Sequence, residues 1–214
     1  SLTGIMDSNV RGWTATQLDC LKHVAVRENE KLAAELGIPQ STAITCVKPS
    51  GTVSQLVNSS SGIHARHSPY YIRTVRQDNK DPMTEFMKDQ NFPNEPCVSK
   101  PNDTTIFSFP IKAPEGAVTR NEMTAIEQLE LWLKFKTHWC EHSPSVTITV
   151  REHEWLEVGA WVFAHFDEIS GVSFLPHSEH IYRQAPYQEC TKNEYEAMLE
   201  KMPKEIDWKW MQVY

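Results

Sequence analysis

Basic residues are in short supply. Lys and Arg number 21 against 28 Asp and Glu in 214 residues, a formal net charge of −7 with a pI near 5.7. Such an acidic balance argues against a broad nucleic-acid face and against an anionic membrane surface, while leaving room for a small anion pocket. No window approaches 18 consecutive apolar residues, so no transmembrane helix is expected. No charged n-region precedes an apolar h-region, so no signal peptide is read, and the expected setting is cytoplasmic, without DNA or membrane partners. Cysteine pairs are missing as well. Cys20, Cys46, Cys97, Cys140 and Cys190 are widely spaced, odd in number and never form C-x-x-C, which points to free thiols in a reducing compartment. There is no internal repeat, no Ser/His/Asp triad pattern and no paired-carboxylate signature. An initiator Met is also lacking. The chain starts Ser1-Leu2-Thr3-Gly4, with Leu2 and Ile5 already patterned like buried structure, and is expected to be a piece of something longer.

What is present is ordinary globular composition, 40% hydrophobic and 23% charged. Helix-period and strand-period stretches alternate between Pro and Gly stops. Residues 14–36 read as a helix: Thr14-x-x-Gln17 fits a capping box, Leu18, Leu21, Ala25, Leu32 and Leu36 share a face, and Gly37 and Pro39 end it. A β-rich run at 42–47 leads to Pro49, and a short helix fits 52–58 with Val53, Leu56 and Val57 on one side. Residues 70–75 and 104–109 read as strands, the second closed by Pro110, and 81–90 as a weak helix. Thr119-x-x-Glu122 is a second capping box that would open a helix running to Trp139. Residues 145–150 and 171–175 are strands flanking a helix at 152–166, and 193–201 is the last helix. Alternating strand and helix imply crossover connections and an α/β layer or barrel, with the site on loops after strand C-termini.

The segment Lys48-Pro49-Ser50-Gly51-Thr52 is the strongest local feature. It lies between a strand and a helix start, where free N–H groups and hydroxyls suit an anion, plausibly phosphate. Walker A spacing is absent. On these five residues alone, a plain N-cap after a strand is the commoner reading. His138-Trp139-Cys140-Glu141-His142 looks metal-like, but position i+2 leaves the face shared by i and i+4, so Cys140 could not join the two His, and a helix end is favoured. His177 and His180 read as a solvated helix start. Gly62-Ile63-His64-Ala65-Arg66-His67 is a glycine turn that either helps bind an anion or is a polar loop. Tyr71, Arg73 and Val75 share one strand face and Tyr70, Ile72 and Thr74 the other, a strand with one wet face.

Together these segments resemble one family. Val47-Lys48-Pro49-Ser50-Gly51-Thr52-Val53-Ser54, then Gly62-Ile63-His64, then Tyr70-Tyr71-Ile72-Arg73-Thr74-Val75-Arg76, are similar to the C-terminal part of the adenosylcobalamin-dependent (class II) ribonucleotide reductases. Ser1-Leu2-Thr3-Gly4-Ile5-Met6, His142-Ser143-Pro144-Ser145-Val146-Thr147 and Gly171-Val172-Ser173-Phe174-Leu175-Pro176 fit in the same order. The resemblance spans essentially the whole chain. It implies that residues 1–214 are the C-terminal portion of a ten-stranded α/β barrel. It implies that Pro49, Ser50, Gly51, Thr52 and Val53 bind the substrate phosphates, Val53 through its backbone, with Ser54 and His64 as accessory residues. The N-cap reading gives way to the phosphate reading on this ground.

The resemblance also sets the expected partners and gaps. The complete enzyme would reduce ribonucleotides to deoxyribonucleotides with adenosylcobalamin, an N-terminal part of the same enzyme and a thioredoxin-like reductant. Class I reductases relay a radical through tyrosines on a late strand; Val172-Ser173-Phe174-Leu175 has none, which favours a locally made radical. Class III needs a C-terminal glycine site that has no match here. The radical cysteine and the redox pair are expected upstream, so no catalytic residue and no metal ligand is assigned to this chain. The rival reading is a stand-alone phosphate- or nucleotide-binding α/β module without catalysis.

Overall fold

The structure, a computed structural model, describes residues 1–50, 53–177 and 183–212. Its helices in chain order are α1 (Ala15–Leu36), α2 (Val53–Leu56), α3 (Pro82–Asp89), α4 (Ala125–His138), α5 (Trp155–Ala164) and α6 (Lys192–Glu200), and its strands are β1 (Tyr70–Asp78), β2 (Asn94–Pro96), β3 (Thr104–Lys112), β4 (Thr147–Val150), β5 (Ser173–Pro176) and β6 (Tyr187–Glu189). They fall into two compact units, Ser1–Arg66 with Pro114–Ser178 and His67–Ala113 with Glu179–Tyr214.

The first unit is built on α1 and α4. Thr14 and Gln17 close the expected capping box on α1, and Gly37 ends the helix in the left-handed region at φ 64°. Helix α4 buries Leu129, Trp132 and Phe135 completely, against Ile5, Met6, Leu18, Val47, Ile63 and Ile148. Each such side chain contributes roughly 1.5–3 kcal/mol by leaving water. Trp132 keeps its polar edge satisfied by donating Nε1–H to the Pro144 carbonyl at 2.8 Å. Strands β4 and β5 pair in parallel, Thr147 opposite Ser173, joined through α5, so the βαβ crossover expected from the alternation is present here.

Two sequence expectations shift in this unit. The run at 42–47 contributes a single bridge, Val47 to Leu2, rather than a strand. Thr119 does donate its N–H and hydroxyl to Glu122 at 2.7 Å each, but the helix opens only at Ala125, capped by Thr124 and Glu127. The reason is tertiary: residue 119 is held in a parallel bridge with Arg66, which keeps the chain extended. Helix α5 is apolar nearly all round, yet it buries Val158 and Trp161 while Leu156 and Phe163 stay 90% and 86% exposed.

The second unit is an antiparallel sheet of order β2-β3-β1-β6, not the crossover arrangement read from the alternation. Nine residue pairs zip β1 to β3, Tyr70 opposite Lys112 through Asp78 opposite Thr104. Pro110 does not close β3; it sits within it opposite Ile72, and the strand runs on to Lys112. Nor is one face of β1 wet: Tyr71 and Thr74 lie on opposite faces and are 1% and 4% exposed. Tyr71 packs against Tyr187, which also stacks on His67 and lies under the Arg73 guanidinium. Helix α3 starts on Asp81 with Pro82 in its first turn, and α6 on a Thr191–Glu194 capping box. Among the described residues no helix is long and apolar enough to cross a membrane.

Glu154 ties α5 to α4 inside the first unit. It is 4% exposed and accepts the N–H of Ala125 at 3.0 Å and of Arg151 at 2.7 Å. Burial pushes its carboxyl up, but those N–H groups and the Arg151 charge outweigh it, and the group sits below its ordinary range. A depressed carboxyl contributes stability that is present above the unfolded value, near about 4.3, and is lost as pH falls through the folded one. Glu154→Gln is expected to lower the unfolding free energy at pH 7 by about 1–3 kcal/mol and to lessen the further loss in acid, measured by urea unfolding at neutral and acidic pH.

Candidate functional site

Pro49 and Ser50 follow directly on the Val47–Leu2 bridge. Leu2 N–H donates to the Cys46 carbonyl at 2.8 Å and Lys48 N–H to the Leu2 carbonyl at 3.2 Å, which fixes where the chain enters the loop. Ser50 N–H donates to Ser61 Oγ at 3.1 Å, and the Ser50 carbonyl accepts from Val53 N–H at 3.1 Å, opening α2. The Ser50 hydroxyl oxygen is buried and has no hydrogen-bond partner among the described residues. A buried hydroxyl without a partner is costly, a cost that a ligand oxygen would relieve. Gly51 and Thr52 lie outside the described residues.

Val53, Leu56 and Val57, expected on one packed side, are instead 59%, 85% and 71% exposed. Ser54 is 1% exposed, and its carbonyl accepts from Ser59 N–H at 2.8 Å; its position is that of a scaffold residue behind the loop. The chain returns through Ser60, whose Oγ is a second buried oxygen without a partner among the described residues, a feature with no sequence signal of its own. Gly62 then closes the turn at φ +61°, where a Cβ would stand 3.1 Å from Pro49 N and 3.3 Å from its Cα. Only glycine permits both this dihedral and this approach.

His64 is placed differently from a ligand residue. Its Nε2 accepts the Thr147 N–H at 3.1 Å, which assigns the proton to Nδ1, 2.9 Å from the Ser61 carbonyl. Both ring nitrogens are therefore spent on bracing the 61–64 turn against β4. The metal-like pentapeptide is also a brace. Glu141 accepts the N–H groups of Ile44 at 2.5 Å and Thr45 at 2.9 Å, and these donors hold its carboxyl below the ordinary range. Trp139 donates Nε1–H to the Cys46 carbonyl at 2.9 Å, and His138 pairs with Asp19 at 3.1 Å. His177 reaches Asn121 at 3.0 Å, and His180 lies outside the described residues. Among the described residues no three His, Cys, Asp or Glu side chains are grouped to hold a metal ion.

The five cysteines are free. Burial pushes the Cys140 thiol up to about 11. Cys97 is drawn down to about 7 by the Ser99 hydroxyl and the N–H groups of Lys100 and Ser99, yet it is only 3% exposed.

A buried hydroxyl, a return segment of serines and a helix start, mounted on an α/β unit, form the kind of loop that suits an anion. Comparison with known proteins makes the kinship specific. No protein-family model matches the chain. It is 33% identical over 173 residues to the adenosylcobalamin-dependent ribonucleoside-triphosphate reductase of Euglena gracilis, covering 80% of this chain and 24% of that one. A probable enzyme of the same name from Dictyostelium discoideum is 30% identical over 186 residues, covering 84% and 24%, and that of Levilactobacillus brevis 26% over 194 residues, covering 89% and 26%. The crystal structure of a B12-dependent (class II) ribonucleotide reductase superposes with a TM-score of 0.80 at 26% identity, over 93% of this chain and 28% of that one. The resemblance carried by the motifs is thus borne out in sequence and in fold, and the chain spans about a quarter of the length of these relatives.

Gly62→Ala is expected to destabilise the first unit by about 1–2 kcal/mol for the left-handed dihedral alone, with a further loss from the contact at Pro49. Thermal unfolding would measure the loss, and amide exchange at Ser50 and Val53 should quicken beyond it as Pro49 is pushed away.

Proposed function

We propose that this chain is the C-terminal portion of the catalytic α/β barrel of an adenosylcobalamin-dependent ribonucleotide reductase, and that it supplies the loop holding the substrate phosphates. The observation that carries the reading is the buried Ser50 hydroxyl just before α2, without a partner among the described residues, in the segment whose motif resembles the reductases' phosphate loop. Ser50 would donate to a phosphate oxygen, with the Val53 backbone beside it. Gly51 and Thr52 join the proposal on the motif alone. Ser54 and His64 would shape the loop from behind rather than touch the ligand.

The complete enzyme would take a ribonucleotide, an N-terminal part of the same enzyme and a thioredoxin-like reductant. Adenosylcobalamin would supply a radical by Co–C bond homolysis. The sequence of β5, Ser-Phe-Leu-Pro, supports that source, since none of its side chains is a phenol able to relay a radical. A groove of about 400 Å³ on α1 and a cleft of about 490 Å³ beside Asp81, both among the described residues, are of the size that suits drug-like ligands rather than a corrin, and no residue of this chain is assigned to the cofactor. The chain's own part in the reaction would be to fix one end of the nucleotide, which converts remote binding energy into orientation of the ribose.

Combining the chain with a polypeptide corresponding to the other three quarters of a relative, together with nucleotide, adenosylcobalamin and a dithiol, should yield deoxynucleotide. No turnover would count against the assignment. Ser50→Ala should raise the Michaelis constant by an amount equivalent to about 1.5–3 kcal/mol, the usual worth of a hydrogen bond to a charged group; an unchanged constant would remove Ser50 from the site. Tight nucleotide binding by the chain alone, with no product on addition of the partner, would favour a stand-alone binding module.

A further inference from the structure

Resting on the reading of residues 49–53 as a phosphate loop, we propose that the buried Asp7–Arg66 pair is the positioning device of that loop, setting its geometry from behind through Asn58 and Ser60 without touching the ligand. The pair is enclosed, with side chains 10% and 3% exposed. Arg66 Nε donates to both Asp7 oxygens at 3.1 Å, and Nη2 to Oδ2 at 2.6 Å. The same guanidinium reaches past the carboxylate to the loop: Nη2 donates to the Asn58 carbonyl at 2.6 Å and Nη1 to Asn58 Oδ1 at 3.2 Å. Asp7 Oδ2 also accepts the Ser60 N–H at 2.5 Å. One ion pair therefore grips both sides of the turn that follows α2.

The geometry distinguishes this from ordinary packing. Asn58 is in the left-handed region at φ 47°, so its carbonyl is aimed by the backbone, and the fork meets it there. The grip has a fixed mount. Arg66 N–H donates to the Val118 carbonyl and its own carbonyl accepts from Arg120 N–H, both at 2.8 Å, while Val118 N–H donates to the Met6 carbonyl at 3.0 Å. A buried ion pair returns little net stability against an apolar replacement, but a planar five-donor fork grips a carboxylate two-handed while its outer nitrogens reach both oxygens of Asn58, a spread that the compact ammonium of Lys does not match. What the pair supplies is position. Ser50 and Ser60, whose buried hydroxyls lack partners among the described residues, lie on the two arms of the loop that it fixes.

The test is titration calorimetry of the full chain with inorganic tripolyphosphate, alongside the melting temperature of each variant. Arg66→Lys is expected to weaken binding by about tenfold or more. Because a change in a buried pair can itself unfold the unit, the exposed Asn58 gives a second pair of variants. Asn58→Gly keeps the left-handed backbone and the aimed carbonyl while giving up the Nη1–Oδ1 hydrogen bond, and should keep more of the parent's affinity than Asn58→Val. Asn58→Val cannot hold a positive φ without strain, and should lose affinity to the same order as Arg66→Lys, by more than its lowered melting temperature accounts for. Equal affinity for Asn58→Gly and Asn58→Val, or losses that simply follow melting temperature, would overturn the positioning role. No binding of tripolyphosphate by the parent chain would instead overturn the phosphate-loop reading, and the proposal with it.

Discussion

Among its described residues, the stretch from Lys48 to Gly62 has one four-residue helix and no strand, so their backbone polar groups must find partners outside regular structure. They find them on the first turn of the chain. Gly4 N–H donates to the Ser60 carbonyl at 3.0 Å, Ile5 N–H to the Gly62 carbonyl at 3.1 Å, and Gly62 N–H to Thr3 Oγ1 at 2.9 Å. Ile5, Met6 and Ile63 anchor the two segments in the core of the first unit. The loop is consequently mounted on the core rather than hung from it. That is the condition for holding a charged ligand at low cost in ordering entropy.

The residue types most suggestive of chemistry turn out to be mounts for that loop. Glu141 and Trp139 hold residues 44–46 in place ahead of it. His64 holds the turn after it to β4. Glu141 and His64 satisfy backbone N–H groups that no neighbouring strand pairs, as irregular buried backbone requires, and Trp139 adds a second donor to the Cys46 carbonyl already bonded by Leu2. Histidine and glutamate were drawn to attention by chemistry they share with ligands, yet hydrogen-bond capacity explains their places.

The exposed apolar surface has a bearing on the proposed setting. Leu156 and Phe163 on α5, and Val53, Leu56 and Val57 around α2, stand open in a chain that spans about a quarter of its relatives. A helix apolar on every side is ordinarily enclosed. An enclosing remainder of the barrel is what the proposed place of this chain within a reductase calls for.

Local chemistry was legible from the amino-acid order alone. The Thr14–Gln17 box and the Gly37 stop each depend on residues within a few positions, the βαβ step through α5 shows in the alternation of strand and helix patterns, and the family resemblance rests on short segments in order. The start of α4 was misplaced because two Thr-x-x-Glu boxes lie five residues apart, and only the bridge from Arg66 to Thr119 selects the second. The antiparallel order of the second unit was equally hidden, since a strand's own sequence does not state the direction of its partner. Tertiary structure alone decided that the Ser50 and Ser60 hydroxyls would be buried without partners among the described residues, and that Asp7 would meet Arg66 and the Ser60 N–H. Those are contacts across more than fifty residues, fixed by the packing of the core and by the demand that every enclosed charge and carbonyl be met, and no local pattern encodes them.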